Sequence, residues 1–303
     1  MAFSAFAPST VSEQAPRRKS RVALLLLLPG ILYLLLFFLV PLLSLILTSL
    51  QAPTVSGDIG QYRTAFEWQN YSTAIGQYGG QILRSFVYAV LATVFALLFS
   101  YPLAYFIGVK ARPYPLLQNL ALILVIAPFF ISFLLRTLAW KQLLSDESAI
   151  VTGLKALALL APDAHVTGTP VAVVFGLTYN FIPFMTLPLY ASLERLDLRY
   201  LEAGNDLYAT PFSTFLRVTI PLSMPGIVSG VLLTFIPAAG DYVNASREFL
   251  GGTGTTMIGN VIESNFLVSL NYPAAAAMSV MLMVAILILV TIYVRRSGTE
   301  DLL

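Results

Sequence analysis

Four stretches of this chain, residues 22–50, 85–109, 221–240 and 273–294, contain no Asp, Glu, Lys or Arg. An α-helix needs about 20 predominantly apolar residues to cross the hydrocarbon core of a bilayer. No water is present there to take up peptide N–H and C=O groups, so a lone segment must satisfy its own backbone as a helix. Residues 117–135 and 170–193 add two more apolar runs, interrupted by Gln118, Asn119, Asn180 and several prolines. The expectation is an all-α integral membrane protein with six transmembrane helices. Composition agrees: 11% of the residues are charged, against about 25% in a soluble domain.

The first run is too long for a cleaved signal peptide, and nothing like an A-x-A site follows it, so it is read as a retained span. Residues 1–21 (MAFSAFAPSTVSEQAPRRKSR) read as a disordered N-terminal tail, residues 22–296 as one membrane domain and residues 297–303 as a C-terminal tail. With no Cys in the chain, disulfides, thiolate metal sites and cysteine nucleophiles are excluded. The only histidine, His165, lies in a loop, so no metal site is expected.

Basic residues are distributed unevenly. Arg17, Arg18, Lys19, Arg21, Lys110, Arg112, Arg195, Arg199, Arg217, Arg295 and Arg296 fall on one side of a six-span topology. Arg63, Arg84, Lys141, Lys155 and Arg247 fall near the other, and Arg136 lies in or near span three, where snorkelling to the interface accounts for it. The positive-inside rule then puts both termini in the cytoplasm. Three outside loops follow, at about 51–82, 144–169 and 241–272, the last with GGTGTT at 251–256 as a mobile turn. Eight acids (Asp58, Glu67, Asp146, Glu147, Asp163, Asp241, Glu248, Glu263) stand on that side, a mild attraction for cations. Pro29, Pro41, Pro102, Pro128, Pro183, Pro188 and Pro237 sit in or at the ends of spans. Broken helices of this kind suit a transport pathway as well as simple packing.

Residues 193–221, LERLDLRYLEAGNDLYATPFSTFLRVTIP, are charged yet helix-patterned. Leu193, Leu196, Tyr200, Ala203 and Leu207 recur at helical spacing, while Glu194, Arg195, Asp197, Arg199 and Asp206 lie off that stripe. Thr210 is placed to cap a second short helix with Pro211 at its first position, and Phe212, Phe215 and Leu216 give it an apolar face. The pair reads as a cytoplasmic docking handle between spans four and five.

This handle resembles the EAA loop of permease subunits of bacterial ATP-binding-cassette importers. The family pattern is E-A-A, three residues, Gly, nine residues and an I-x-L-P-like ending. Glu202-Ala203-Gly204 fills the triplet, and Val218, Ile220 and Pro221 fill the ending. Gly204 replaces the second Ala, and Tyr208 stands where the family has Gly, which questions a tight turn. YPLAYFIG at 101–108, LLRTLAW at 134–140, NFIPFMTLPLYASLERLD at 180–197, IPLSMPGIVSG at 220–230 and MIGNVIESNF at 257–266 are similar to the spermidine/putrescine type. The resemblance implies the type I importer fold, a second homologous permease, two ATPase subunits holding ATP and Mg, and an extracytoplasmic substrate-binding protein. It also implies the bacterial inner membrane, polyamine uptake and no role in nucleic-acid binding. Within transport, the alternative cargoes are a sugar, a phosphonate, thiamine or an iron complex; outside it, the alternative is a membrane scaffold.

The residues fit a non-catalytic subunit without a cofactor of its own. A P-loop needs Gly before its Lys, and none of Lys19, Lys110, Lys141 and Lys155 follows a glycine. ATPase coupling is assigned to Glu202, Ala203, Gly204, Asp206, Tyr208 and Pro211, with Ala203 and Gly204 small enough to admit a partner closely. Asp241 ends span five, where an ionisable group is costly and functional by default. Two readings stand for it: it lines the outer pathway and attracts an ammonium group, or it is an interfacial carboxylate at the helix end. Tyr179 and Asn180 are candidates to face a cavity and hydrogen-bond an amine, or to pack between helices, and Tyr242 is assigned to the pathway with them.

Overall fold

The computed structural model describes residues 21–54 and 59–296. The tails at 1–20 and 297–303, with Arg17, Arg18 and Lys19, lie outside the described residues, as does Asp58. The chain divides into two compact units, residues 1–45 and 46–303. The first contains most of helix α1, which starts at Arg21 and ends at Ser49. Pro41 cannot donate to the carbonyl of Phe37, and its ring crowds that carbonyl. The helix widens there into a π turn, Leu35–Leu39. Leu26 to Val40 expose apolar side chains throughout, as a span facing lipid requires.

The second unit is built on α2 (Gln69–Lys110), α6 (Pro170–Glu194) and α9 (Met224–Ala239), each packed against the other two. Between α2 and α6 come α3 (Pro115–Phe130), α4 (Phe133–Leu143) and α5 (Ala149–Ala156). After α6 follow α7 (Arg199–Asp206) and α8 (Pro211–Leu222); after α9 follow α10 (Ile258–Leu267) and α11 (Tyr272–Arg296). Four helices are long and apolar enough to cross a membrane, and up to six spans result if each of two bent pairs counts as one.

Several boundaries differ from the sequence expectation. The second apolar run begins not at 85 but at Gln69, because polar residues 69–84 continue the helix to 42 residues. At 1.5 Å per residue that is about 63 Å, roughly twice a hydrocarbon core, so one end of α2 projects beyond the apolar layer. The loop at 51–82 therefore shrinks to a short antiparallel hairpin, Ala52–Pro53 against Tyr62–Arg63, followed by helix. Asn70 donates to the carbonyls of Ser49 and Gln51, and the Tyr62 hydroxyl to that of Leu270. The run 117–135 is not one straight helix. It ends in a 3-10 turn at Ala127–Phe130 containing Pro128, and α3 and α4 meet at 96°. The loops expected at 144–169 and 241–272 each contain a helix, α5 and α10.

Glycines set the closest helix contacts. A Cβ on Gly226 would lie 2.8 Å from the Pro188 carbonyl oxygen, and one on Gly230 would lie 2.7 Å from Met185 Sδ. These two residues, one helical turn apart, let α9 press onto α6, the small-xxx-small device of membrane helices. The GGTGTT segment is a turn with close local contacts. Gly252 donates to Thr255 Oγ1 at 2.7 Å, and a Cβ on Gly251 would collide with the backbone of Ala245.

Candidate coupling site

Helix α6 stops at Glu194, and Asp197 Oδ1 accepts the Arg199 N–H at 3.0 Å where α7 begins. That break changes the helical phase. Leu193 and Leu196 are buried before it, whereas Tyr200, Ala203 and Leu207 are exposed after it. The continuous apolar stripe expected across 193–207 is therefore two faces pointing to different places. The inner face of α7 is supplied by Leu201, with Leu198 just before the helix; both pack with Phe215 and Ile220 on a core of Ala96, Tyr101, Ala104 and Leu193.

The turn between α7 and α8 is tight despite its tyrosine. Tyr208 adopts φ 57°, the left-handed region, and the Ala209 N–H reaches back to the Gly204 carbonyl at 3.0 Å. This six-to-one bond is the Schellman ending of a helix, whose left-handed position is usually glycine. A Cβ on Gly204 would sit 2.9 Å from Thr214 Oγ1. Gly204 therefore admits α8 of its own chain, a close approach within the handle that the sequence does not announce. Thr210 Oγ1 accepts the Ser213 N–H and Pro211 takes the first helical position of α8, as the sequence predicts. A π turn at Phe215–Thr219 contains Arg217, four residues before Pro221, so the same proline effect recurs.

From this base the pair connects directly to the spans. The Phe215 ring stands edge-on to Tyr101 at 5.3 Å and to Tyr105 at 6.1 Å between centroids. The hydroxyls of Tyr101 and Ser223 are 2.7 Å apart, at the 68° bend joining α8 to α9. Reasoning from sequence missed Tyr101, Ser223 and Thr214 as parts of this joint, because no local pattern announces a contact across 122 residues.

The outward surface is apolar with an acidic component. Tyr200 is 58%, Leu207 81%, Tyr208 97% and Phe212 71% exposed. Glu202, Ala203, Asp206 and Pro211 are exposed among them, and no ion pair among the described residues involves either acid. An exposed apolar knob of this kind marks a surface that meets a protein or a membrane.

Two residues of the second predicted group, Asp241 and Asn180, belong to one buried polar chain with Asn244 and Thr137. The Asp241 carboxylate accepts the Asn244 N–H at 2.8 Å and its side-chain amide at 3.1 Å. Asn180 donates to Asn244 Oδ1 and to Thr137 Oγ1, each at 3.1 Å. Asp241 follows the end of α9, where burial pushes its carboxyl up to about 6 against the pull of the hydrogen bonds from Asn244. Its oxygens are thus engaged inside the fold, not open at the surface. Tyr179 packs edge-on to Trp140 at 5.1 Å, and Tyr242 is half exposed. Arg136 does not snorkel: it is buried, its Nε and Nη1 have no acceptor among the described residues, and it lies 5.9 Å from the Phe133 ring centre. His165 and Lys155 both meet Asp146, and His165 is the first cause holding that carboxyl below the usual range.

Comparison with known proteins gives a family model described as binding-protein-dependent transport system inner membrane component, matching residues 96–297. That stretch contains the knob and the whole polar chain. The spermidine/putrescine transport system permease protein PotB of Haemophilus influenzae is 37% identical over 228 residues, 75% of this chain and 78% of that protein. Its Escherichia coli counterpart is 35% identical over 269 residues, 88% of this chain and 94% of that one. A chain of a bacterial ABC transporter involved in import of the acidic polysaccharide alginate superposes with a TM-score of 0.67 at 16% identity, covering 92% of this chain and 96% of that chain. A chain of the inward-facing MetNI methionine ABC transporter gives 0.54 at 17% identity, covering 72% and 93%. At such identities the structural matches speak for the fold alone.

Proposed function

The chain belongs to the family of binding-protein-dependent transport system inner membrane components, and from that membership we propose that it forms half of the translocation pathway of a polyamine importer. It is a multi-pass inner-membrane permease of the ABC importer class. The relatives' names supply spermidine and putrescine as the cargo class. A second, homologous permease completes the pathway, two ATPase subunits bind and hydrolyse ATP with Mg, and an extracytoplasmic binding protein delivers cargo. The chain itself makes and breaks no bond.

In this reading each bent helix pair is one span, giving six, and both termini face the cytoplasm together with α7 and α8. Support comes from the basic residues gathered on that side. The observation that carries the proposal is the exposed knob of Tyr200, Glu202, Leu207, Tyr208 and Phe212, whose inner face is continuous with the packing of the spans. When the ATPases close on the knob, α7 and α8 move as one piece. Phe215, Tyr101 and Ser223 carry that displacement into α2 and α9. Asp241, Asn180, Tyr179 and Tyr242 serve the pathway, with Asp241 held ready by Asn244. The acids on the outer side favour a cationic cargo.

The test is ATP hydrolysis by the reconstituted complex with its binding protein, challenged with spermidine, putrescine and a panel of sugars. Stimulation by spermidine or putrescine is the expected outcome. Stimulation by a neutral sugar alone overturns the cargo, and failure to co-purify with any ATPase overturns the coupling role.

A further inference from the structure

The break between α6 and α7 leaves the last carbonyls of α6 without helical partners, at the negative end of the helix dipole. Arg112, in the turn between α2 and α3, fills that position. One guanidinium N–H donates to the Leu196 carbonyl at 3.0 Å and another to the Glu194 carbonyl. Both acceptors lie in the elbow from which α7 hangs. Two further contacts surround it. A Cβ on Gly108 would stand 3.2 Å from Leu193 Cβ, so α2 and α6 nearly touch there. Gln118 of α3 donates to the Tyr190 hydroxyl at 3.4 Å, and that hydroxyl donates to Glu194 Oε1.

We propose that Arg112 is a positioning residue for coupling: its fork fixes the elbow angle, so that α7 cannot swing without moving the joined ends of α2 and α3. Leu193, Leu196 and Leu198 bury apolar surface at the same place, but apolar contact is non-directional and lets helices slide. Two N–H···O bonds from one planar group constrain direction as well as distance. Arg112 thereby adds a second route, through α3 and its 96° junction with α4, beside the route through Phe215 and Ser223. The inference rests on α7 and α8 being the ATPase contact.

The test compares wild type with Arg112→Met in the reconstituted complex, measuring cargo uptake per ATP hydrolysed and basal hydrolysis without cargo. Uptake per ATP is expected to fall on the order of tenfold, within the range of couplings between distant sites, with basal hydrolysis within about twofold of wild type. Arg112→Lys, which keeps the charge but replaces the planar fork with a compact ammonium, is expected to recover part of the ratio. An unchanged ratio in Arg112→Met overturns the proposal. Should Arg112→Met not assemble, the Cys-free background allows spin labels at the exposed positions Leu116 and Arg199 in the Arg112→Lys complex. A broadened distance distribution supports the clasp and an unchanged width overturns it. A wild-type chain that binds no ATPase defeats the functional reading itself; a coupled wild type with an equally coupled Arg112→Met variant defeats this inference alone.

Discussion

Tyr208 holds a backbone conformation that L residues with a Cβ enter at a cost of roughly 1–2 kcal/mol. Its φ of 57° closes the Schellman bond of Ala209 to Gly204, while its ring is 97% exposed among the described residues. Strain kept at an exposed ring points to use of that ring by a partner. Tyr208→Gly is expected to stabilise the isolated permease by about 1 kcal/mol, seen as a higher unfolding midpoint in detergent, and to weaken ATPase association in pull-down. A lower midpoint would mean that the turn does not carry the strain. Asp241 is a different case, since both carboxylate oxygens are occupied by Asn244. Asp241→Asn retains an acceptor for one of those bonds but removes the charge. It should lower polyamine uptake by about tenfold, the scale of one charge-assisted hydrogen bond, with the complex still assembled on gel filtration. Uptake at the wild-type level would remove Asp241 from the pathway.

Among the elements, α9 depends most on what it lacks. Gly226 leaves no room for a methyl group between itself, Ser192 and the Pro188 carbonyl. Gly226→Ala must therefore separate α9 from α6, at about 1–3 kcal/mol for overpacking. The neighbouring Ser229→Ala should change stability by less than about 0.5 kcal/mol. Thermal unfolding of the two variants in detergent checks the contrast, and equal midpoints would show that the close approach carries no energy. Element type was legible wherever charge was absent over a full span, and Thr210 with Pro211 marked the start of α8 correctly. Lengths were less legible. Residues 69–84 are polar and Gly-containing, yet they lie in α2, whose Ser85 accepts the Ile258 N–H and whose Arg84 donates to the Thr256 carbonyl. Such partners lie 172 and 173 residues away, beyond any periodicity.

For the molecule as a whole, the sidedness of the knob decides the function. Positions exposed on opposite sides in the proposed topology are Leu159, 72% exposed between α5 and α6, and Tyr200, 58% exposed on α7. In the Cys-free chain, Leu159→Cys should react with a membrane-impermeant maleimide in intact spheroplasts, and Tyr200→Cys only after permeabilisation. The reverse pattern would place the knob outside the cell and end its assignment to an ATPase.

Sequence alone determined the membrane class, the helical content and where the charged helical pair falls along the chain, because these follow from local quantities: uncharged length, cap residues and helical spacing. It did not determine which side of α7 faces inward, since the phase of a stripe survives only as long as its helix and this one breaks after Glu194. Nor did it reveal that Gly204 accommodates Thr214, that Asn180 and Asn244 occupy Asp241, or that Arg112 closes the elbow. Those depend on segments distant in the chain meeting at hydrogen-bond range, and only the folded arrangement of α2, α6 and α9 brings them there.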